Sequence, residues 1–469
     1  MFRKARHVHM VGIGGTGMCG IAEVLINLGY PVSGSDVASN VATRRLKRLG
    51  AKVRMGHKAA FVHGADVVVT SSAVGEDNPE VIEARRMGIP VIPRAEMLAE
   101  LMRLKYGIAV GGSHGKTTTT AMIAEVLTHA GLDPTVVIGG RVGKLSSGAK
   151  LGFGELMVAE ADESDGSFLK IKPTIAVVTN IDREHLDHYR DLAEIQDTFA
   201  EFLSRVPFYG AAVVCLDDPN VRDILPRVDR KTITYGLSSD ADVAATDVRV
   251  EGFQSTYIAR ADGKKLGKVT LEQPGRHSVY NSLAAVAVGL ELDVSFKKIA
   301  EGLARFRGVD RRLHRRGQAF GATVLDDYGH HPTEIAATLA AVREGFGSRT
   351  VVVFQPHRYS RTQALLEEFG GAFFLADRVI VTDIYAAGEK RLNGVSGSTV
   401  ADALVRHGHP AVTYQPDMAA IPALLRELLQ PGDILVTLGA GDVWKLGEEL
   451  VRSAKPGPKR KSTRSRARS

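Results

Sequence analysis

The residue types and spacing between Gly112 and Thr118 are those of a loop that binds a nucleoside triphosphate. The run reads Gly112-Ser113-His114-Gly115-Lys116-Thr117-Thr118, between an apolar segment (108–110) and a segment with helical apolar spacing (120–130). In such loops backbone amides and a helix N-terminus point at phosphates, lysine reaches the β/γ-phosphates, and threonine holds Mg²⁺. Val110 stands where the common loop has its first glycine, so this is the shorter Gly-x-x-Gly-Lys-Thr form. The sequence therefore predicts an ATP–Mg²⁺ site.

Acidic and imidazole side chains follow two further apolar segments, at the point where each segment ends. Glu160 comes directly after 156–159, and His185 lies in the polar stretch after 175–179. Ligands of open α/β sheets bind outside the carboxyl ends of strands, so these groups should face the phosphate loop. Mg²⁺ prefers oxygen ligands, and Glu160 is the expected first ligand rather than part of a solvated acidic loop. His185 is expected at a second metal ion, or else as a hydrogen-bonding group behind the ligands.

A second glycine-rich run, Gly12 to Gly17, lies between a strand segment (7–11) and a helical segment that ends near residue 28. It fits Gly-x-Gly-x-x-Gly, and Asp36 ends the next strand about 20 residues later. An acidic side chain at that distance usually meets a ribose hydroxyl. A nicotinamide enzyme would have this pattern, but any ligand with a diphosphate and a ribose satisfies it.

The C-terminal third also concentrates polar side chains directly after apolar strand segments. Arg358 and Arg361 are expected to hold an anion, because a guanidinium fork binds a carboxylate or phosphate bidentately. His330, His331 and His357 lack the usual spacing of zinc ligands, and no cysteine lies near them in the sequence. The pattern therefore favours a small anionic ligand over a zinc site.

Composition and charge limit the class of protein. The 469 residues are too many for one ordinary core, and Cys19 and Cys215 are the only cysteines, which indicates a reducing cytoplasm. No stretch approaches the length of a membrane span, and the N-terminus has no apolar signal core. The tail from 455 to 469 carries seven basic residues and no acid, which leaves 53 of each sign elsewhere. We expect that tail to be disordered, and the basic net charge gives no reason to expect nucleic-acid binding by the body.

At this point the residues match a family: the chain resembles the Mur ligases over nearly all of residues 7–450. The matching motifs, in chain order, are Gly12 to Met18, Gly112 to Thr118, Glu160 to Asp165, Asn180 to Asp187, Gly275 to His277, Asp326 to Pro332 and Gln355 to Arg358. The resemblance implies an α/β fold of three domains, each a largely parallel sheet with flanking helices. These are Rossmann-like (1–106, UDP-sugar), P-loop ATPase-like (107–309, ATP) and Rossmann-like (310–454, amino acid), followed by the tail (455–469).

The implied reaction is ATP- and Mg²⁺-dependent amide formation between UDP-N-acetylmuramate and L-alanine, in peptidoglycan precursor synthesis. The lactyl carboxylate takes the γ-phosphate to form an acyl phosphate, and the amine of alanine then displaces phosphate. The resemblance assigns the UDP-sugar to Gly12, Gly14, Gly15, Thr16, Gly17, Asp36 and Ser71. It assigns ATP to Gly112, Ser113, His114, Gly115, Lys116, Thr117, Thr118, His277, Asn281, Arg312 and Asp326. It assigns alanine to Tyr328, His330, Arg358 and Arg361, metal to Thr117, Glu160 and His185, and catalysis to Lys116, Thr117, Glu160 and His185.

Several alternatives and secondary expectations accompany this interpretation. Some relatives bridge their metals with a carbamylated lysine, but no lysine occurs here between Lys172 and Lys231. The other functions considered are a ligase that recycles murein peptide onto the same sugar nucleotide and a nucleotide-dependent interaction protein. We expect a cytoplasmic monomer or weak homodimer that needs no nucleic acid and does not insert into a membrane.

Overall fold

A computed structural model describes residues 6–71, 73–139, 149–186 and 188–454. The chain divides into two compact units, 1–310 and 311–469. The basic tail at 455–469, which we expect to be disordered, lies outside the described residues. No helix within the described ranges is long and apolar enough to cross a membrane.

The first unit begins with a five-stranded parallel sheet. Its strands are β1 (Val8–Val11), β2 (Val32–Asp36), β3 (Lys52–Met55), β4 (Val67–Thr70) and β5 (Val91–Pro93), in the order β3-β2-β1-β4-β5. The helices are α1 (Thr16–Asn27), α2 (Val41–Arg48), a 3₁₀ turn (Ala59–Val62), α3 (Pro79–Arg86) and α4 (Arg94–Met102). All of β1 is buried, as expected of a central parallel strand. The strand order reverses beside β1, which is where doubly wound sheets bind ligands.

A ten-stranded sheet forms the rest of the first unit. Its strands are β6 (Tyr106–Gly111), β7 (Thr135–Val137), β8 (Ala149–Lys150), β9 (Leu156–Glu160), β10 (Ile175–Val178), β11 (Ala211–Cys215), β12 (Thr232–Gly236), β13 (Val243–Glu251), β14 (Gln254–Ala261) and β15 (Lys264–Leu271). The order is β15-β14-β13-β12-β11-β10-β6-β9-β7-β8. The middle of the sheet is parallel, whereas β13-β14-β15 and β7-β8 pair antiparallel at the two edges. The largely parallel class is confirmed, but the antiparallel edges went unpredicted.

Helices cover the faces of this sheet. They are α5 (Lys116–His129), a 3₁₀ turn (Ser167–Lys170), α6 (Leu192–Ser204), α7 (Pro219–Ile224), a 3₁₀ turn (Leu225–Arg227), α8 (Arg276–Glu291) and α9 (Phe296–Arg305). Helix α8 is buried along most of its length, which explains its many small alanine side chains. Helix α5 begins at Lys116, one turn before its apolar spacing starts, because the phosphate loop leads directly into it.

The second unit contains a six-stranded sheet in the order β16-β17-β21-β18-β19-β20. The strands are β16 (His314–Ala319), β17 (Ala322–Asp327), β18 (Thr350–Phe354), β19 (Arg378–Val381), β20 (Val412–Tyr414) and β21 (Ile434–Leu438). The helices are α10 (Pro332–Phe346), α11 (Tyr359–Ala364), α12 (Leu366–Ala372), α13 (Gly397–Arg406), a 3₁₀ turn (Met418–Ala420), α14 (Ile421–Leu428) and α15 (Trp444–Ala454). Only β16, at one edge, pairs antiparallel.

Three neighbouring strands of the ten-stranded sheet end beside one another. Strand β6 lies between β9 and β10, and all three are parallel. The phosphate loop follows β6, Glu160 is the last residue of β9, and Thr179 follows β10. Parallel strands bring their carboxyl ends to one edge of a sheet, so this topology gathers the predicted ATP-site residues there.

Candidate functional site

The phosphate loop requires glycine at two positions. Gly112 has φ +123°, and a Cβ there would lie 2.1 Å from Thr179 Oγ1. Gly115 has φ +80°, and a Cβ there would lie 2.6 Å from Asn281 Oδ1. Both the left-handed backbone and the lack of space exclude a side chain. The two glycines hold the loop against β10 on one side and α8 on the other.

Lys116 is the charged centre of the loop. Its Nζ donates to the carbonyls of Gly112 (2.7 Å) and Ser113 (3.1 Å) and to Oε1 of Glu163 (2.7 Å). Burial by itself would lower the pKa of Lys116, but the nearby carboxylates, Glu163 first among them, raise it above its usual value. The lysine is therefore held protonated and close to the loop backbone.

Thr117 and Glu160, two of the residues expected to hold metal, form one oxygen-rich group. The Thr117 hydroxyl lies 3.0 and 3.1 Å from the two carboxylate oxygens of Glu160, and Oε2 accepts the Gly139 amide (2.7 Å). Burial raises the pKa of Glu160, although Lys116 opposes this. A bound cation would stabilise this buried carboxylate by neutralising its charge. The carboxylate and hydroxyl oxygens are also the kind of ligand that Mg²⁺ prefers.

His185 lies in a second group, with Glu163 and Glu184. One ligand atom from each of the three residues lies within 4.8 Å of the others. His185 Nε2 is 3.5 Å from Glu163 Oε1, and these carboxylates raise the pKa of His185 against the lowering effect of burial. The second oxygen of Glu163 is buried without a hydrogen-bond partner in the described part of the chain. An oxygen of this kind is suited to bind a cation. Glu163 was not among the metal ligands that we expected from the sequence.

A polar brace behind the loop also went unpredicted. Asn180 Oδ1 accepts the His114 amide (2.8 Å), and Asp182 Oδ2 lies 2.9 Å from His114 Nε2. The Asp182 amide in turn donates to Ser113 Oγ (2.8 Å). These side chains come from the stretch after β10, where the sequence signal was present but was interpreted only for His185.

Asn281 and His277, which the resemblance assigns to the nucleotide, both lie on α8. Asn281 is buried next to Gly115 and accepts from the Thr119 hydroxyl (3.1 Å). His277 is the second residue of the helix and is half-buried. Asn281 is thus beside the phosphate loop itself.

The N-terminal glycine run forms a tight loop over Asp36. Asp36 Oδ2 accepts the Gly14 amide (2.8 Å), so this carboxylate already shapes the loop that was expected to bind the UDP-sugar. Gly12 has φ +75°, and a Cβ there would lie 3.3 Å from Ser71 Oγ, which places Ser71 at the same loop. Gly15 caps α1 and Thr16 is its first residue. A Cβ at Gly17 would lie 2.8 Å from Arg94 Nη1.

In the second unit, two of the four residues expected to bind alanine, His330 and Arg361, contact His357, and a third, Tyr328, contacts His330. The rings of Tyr328 and His330 are 5.4 Å apart, and those of His330 and His357 are 5.7 Å apart. Burial, reinforced by the charges of His330 and nearby arginines, lowers the pKa of His357 to about 3. Neutral His357 Nδ1 can therefore accept from Arg361 Nη1 at 3.2 Å. Arg358 has φ +67°, and its half-exposed side chain lies 4.0 Å from Glu389.

Arg312 and Asp326, both expected at ATP, have different partners. Arg312 Nη1 donates to Glu334 Oε1 (2.9 Å), which raises the pKa of Arg312 despite its burial. Asp326 is fully buried and accepts from Arg316 Nη2 (3.0 Å) and the Thr437 hydroxyl (2.9 Å). Glu334 also accepts the His330 amide (3.1 Å). This carboxylate, which we did not predict, therefore contacts both Arg312, expected at ATP, and His330, expected at alanine.

Comparison with family models covers both units. Residues 7–106 match the "Mur ligase family, catalytic domain", residues 110–289 the "Mur ligase middle domain", and residues 311–441 the "Mur ligase, glutamate ligase domain".

Individual relatives extend this similarity along nearly the whole chain. UDP-N-acetylmuramate–L-alanine ligase of a Geobacter species is 58% identical over 96% of this chain and 98% of its own, and that of Geobacter sulfurreducens is 56% identical over the same shares. The crystal structure of UDP-N-acetylmuramate–alanine ligase from Thermotoga maritima matches with a TM-score of 0.80 at 29% identity, over 95% of this chain and 98% of that one. A murein peptide ligase from Psychrobacter arcticus has a TM-score of 0.69 at 24% identity over 96% and 98%. That last likeness concerns the fold alone.

Proposed function

Because the chain belongs to the Mur ligase family, we propose that it is an ATP-dependent ligase that joins L-alanine to UDP-N-acetylmuramate. The observation that carries the proposal is Lys116, protonated and hydrogen-bonded within a glycine loop whose neighbours are carboxylates. The curated relatives at 55–58% identity bear the name of this activity. The alternative, a murein-peptide recycling ligase, is represented by structures at 24% and 29% identity with TM-scores of 0.69 and 0.61, below the identity of the curated relatives and below the TM-score of 0.80 of the alanine ligase.

The reaction that we propose has two steps. In the first, a lactyl carboxylate oxygen attacks the γ-phosphorus of ATP, the bond to the β,γ-bridging oxygen breaks, and ADP leaves. In the second, the amine of alanine attacks the acyl carbon of the resulting acyl phosphate, and inorganic phosphate leaves with the former carboxylate oxygen. The amine loses a proton as the amide forms.

Residues of the phosphate loop stabilise the charge of the first step. Transferring phosphoryl groups carry negative charge on their equatorial oxygens, and a fixed cation with backbone amides stabilises it. Lys116 supplies the cation, and the loop from Gly112 to Thr118 supplies amides at the N-terminus of α5. Asn180 and Asp182 keep that loop in place.

The residues present also fit Mg²⁺. Thr117 and Glu160 would hold one ion, and His185 with Glu163 and Glu184 would hold another. When bound, magnesium supplies positive charge that neutralises the phosphates and orients them. A lysine that bridges two metals is not needed in this proposal, since Glu163 and Glu184 add carboxylates to the second group.

The remaining assignments are proposals that rest on the family match and on placement in the fold. Residues 1–106 would bind the UDP-sugar through the loop over Asp36, 107–309 would bind ATP, and 310–454 would bind alanine. Asn281 beside Gly115 would contact the nucleotide, with His277. Arg312 and Asp326 would serve ATP, and Tyr328, His330, Arg358 and Arg361 would surround alanine. We place the reaction in the cytoplasm, with a monomer or weak homodimer as the active form.

Phosphate release tests the proposal: purified protein, ATP, Mg²⁺ and UDP-N-acetylmuramate are incubated with single amino acids, and separately with a tripeptide. We expect L-alanine to raise the rate far above the blank, and serine and glycine to do so less. If alanine gave no more release than the blank while a tripeptide did, the recycling alternative would replace our assignment. Release without any amide product would instead indicate a nucleotide-dependent interaction protein.

A further inference from the structure

Between Asp36 and Asp66 the chain carries basic residues and no acid. The seven basic residues are Arg44, Arg45, Lys47, Arg48, Lys52, Arg54 and Lys58. Arg45 is half-buried and pairs with Glu23, its Nη2 2.6 Å from Oε1, whereas the other six are exposed. Outside the C-terminal tail the chain has equal numbers of acidic and basic residues. The positive charge of this stretch therefore does not reflect a basic composition of the whole chain, and we call its six exposed cations the basic edge.

The cations of the basic edge lack acidic partners. None of the six has an ion pair or a side-chain hydrogen bond to any residue that the structure describes. Arg54 contacts the Phe61 ring, with its guanidinium carbon 4.8 Å from the centroid, which leaves its positive charge in place. Some exposed lysines elsewhere in the same unit do have acidic partners, as in Lys231 with Glu291 (2.7 Å) and Lys170 with Glu96 (2.9 Å). The positive field of the basic edge is thus uncompensated within this unit.

The cations lie on both sides of an edge strand. Arg44, Lys47 and Arg48 have the i, i+3, i+4 spacing of one helix face on α2. Leu46 of α2 and Val53 of β3 belong to one buried cluster, so Lys52 and Arg54, which alternate with Val53, point to the opposite face of the sheet. Charged side chains on an edge strand prevent unwanted strand pairing, but that role does not extend to the cations on α2.

Exposed apolar side chains lie among these cations. Val41 is 49%, Leu49 37% and Met55 39% exposed. Basic residues interleaved with exposed apolar ones suit the interface of an anionic lipid surface, where the charges meet headgroups and the apolar groups enter the acyl boundary. A nucleic-acid backbone offers the charges a partner but gives the apolar side chains none. We propose that the basic edge binds the surface of a membrane that contains anionic lipids, reversibly and without insertion of a helix.

Vesicle co-sedimentation of the full chain at low salt tests this proposal. Vesicles of phosphatidylglycerol and phosphatidylcholine are compared with vesicles of phosphatidylcholine alone. The test variant carries Arg44→Gln, Lys47→Gln and Arg48→Gln. The control carries Lys459→Gln, Arg460→Gln and Lys461→Gln, which removes the same net charge from the tail. Alanine-dependent phosphate release confirms that each variant is folded, since none of these residues is placed in the ligase site.

We expect the wild type to prefer the anionic vesicles. The α2 variant should bind them about tenfold more weakly or worse, since each basic residue near an anionic surface adds to affinity, while the control should stay close to wild type. Equal weakening in both variants would show a general effect of net charge and would overturn the proposal. The proposal would also fail if the α2 variant bound anionic vesicles like the wild type. It would fail as well if a short DNA duplex bound the basic edge and vesicles did not. If the vesicle test contradicts membrane binding while ligase activity is intact, the proposed ligase function is unaffected.

Discussion

Lys116 Nζ lies 2.7 Å from Glu163 Oε1, and both side chains are largely buried. Glu163 therefore has one oxygen on the lysine of the phosphate loop and a second, buried oxygen without a hydrogen-bond partner in the described ranges. His185 approaches the lysine-bound oxygen at 3.5 Å. The Glu163 carboxylate therefore connects Lys116, the cation of the phosphate loop, to the second candidate metal group, which contains Glu184 and His185.

Replacement of Lys116 by alanine should abolish turnover while the fold persists. The fixed charge that stabilises the transferring phosphoryl group would be lost, and we expect kcat to fall by about 10²–10³-fold or more. Alanine-dependent phosphate release measures the effect. Lys170→Ala is the matched control, since its exposed pair with Glu96 contributes little. Near-normal activity in the Lys116 variant would contradict the role.

Glu163→Gln should raise the Mg²⁺ concentration needed for half-maximal activity and lower kcat. The change keeps the side-chain shape but removes the charge that holds Lys116 and completes the group with His185 and Glu184. Activity measured against Mg²⁺ concentration gives the result, with the exposed Glu155→Gln as control. An unchanged Mg²⁺ dependence would argue that Glu163 serves only as a partner of the lysine.

Gly115→Ala should destabilise the protein and weaken ATP binding. A left-handed backbone costs an alanine about 1–2 kcal/mol, and here the new Cβ would also lie 2.6 Å from Asn281 Oδ1. Gly131→Ala separates the two effects, because Gly131 has φ +87° but no atom within 4 Å of the added Cβ. Urea unfolding should show a larger loss for Gly115→Ala. Equal losses would mean that the contact with Asn281 has no effect.

Acid should destabilise the protein partly through His357. Its pKa is lowered to about 3 in the folded chain, against about 6.5 when unfolded, so between these values the unfolded state binds more protons. The contribution is fully present above about pH 6.5 and is lost as the pH falls toward 3. We expect the free energy of unfolding of His357→Gln to fall less steeply over that range. The exposed His188→Gln is the control, and a wild-type slope in the His357 variant would contradict the account.

Sequence patterns predicted the architecture well where local signals were strong. Short apolar runs such as Val8–Val11 identified the parallel strands, and the glycine runs identified the two loops, because these features depend on neighbouring residues alone. The antiparallel strands β13-β14-β15 were missed, because their pairing at the sheet edge depends on contacts between distant segments. The family recognition itself is confirmed by three family models and by curated relatives along nearly the whole chain.

The site was predicted less completely than the fold. Thr117 and Glu160 lie within hydrogen-bond distance, and Lys116 lies in the same loop, because the phosphate loop and Glu160 are at the carboxyl ends of the neighbouring strands β6 and β9. Sequence could not show that Asp36 already accepts the Gly14 amide, since that contact depends on the loop path. Glu163 was within a recognised motif and Glu334 came shortly after another, but only the three-dimensional structure shows which partner contacts each carboxylate oxygen.

Oxygen-isotope transfer tests the central claim most directly. UDP-N-acetylmuramate labelled with ¹⁸O in both oxygens of its lactyl carboxylate is incubated with the protein, ATP, Mg²⁺ and L-alanine. Mass spectrometry then measures the ¹⁸O content of the released phosphate and the amounts of ADP and alanyl amide. The account predicts one alanyl amide for each ADP, and one carboxylate-derived ¹⁸O in each released phosphate. Amide without label in the phosphate would contradict the acyl phosphate, and labelled or unlabelled phosphate without amide would contradict the ligase assignment itself.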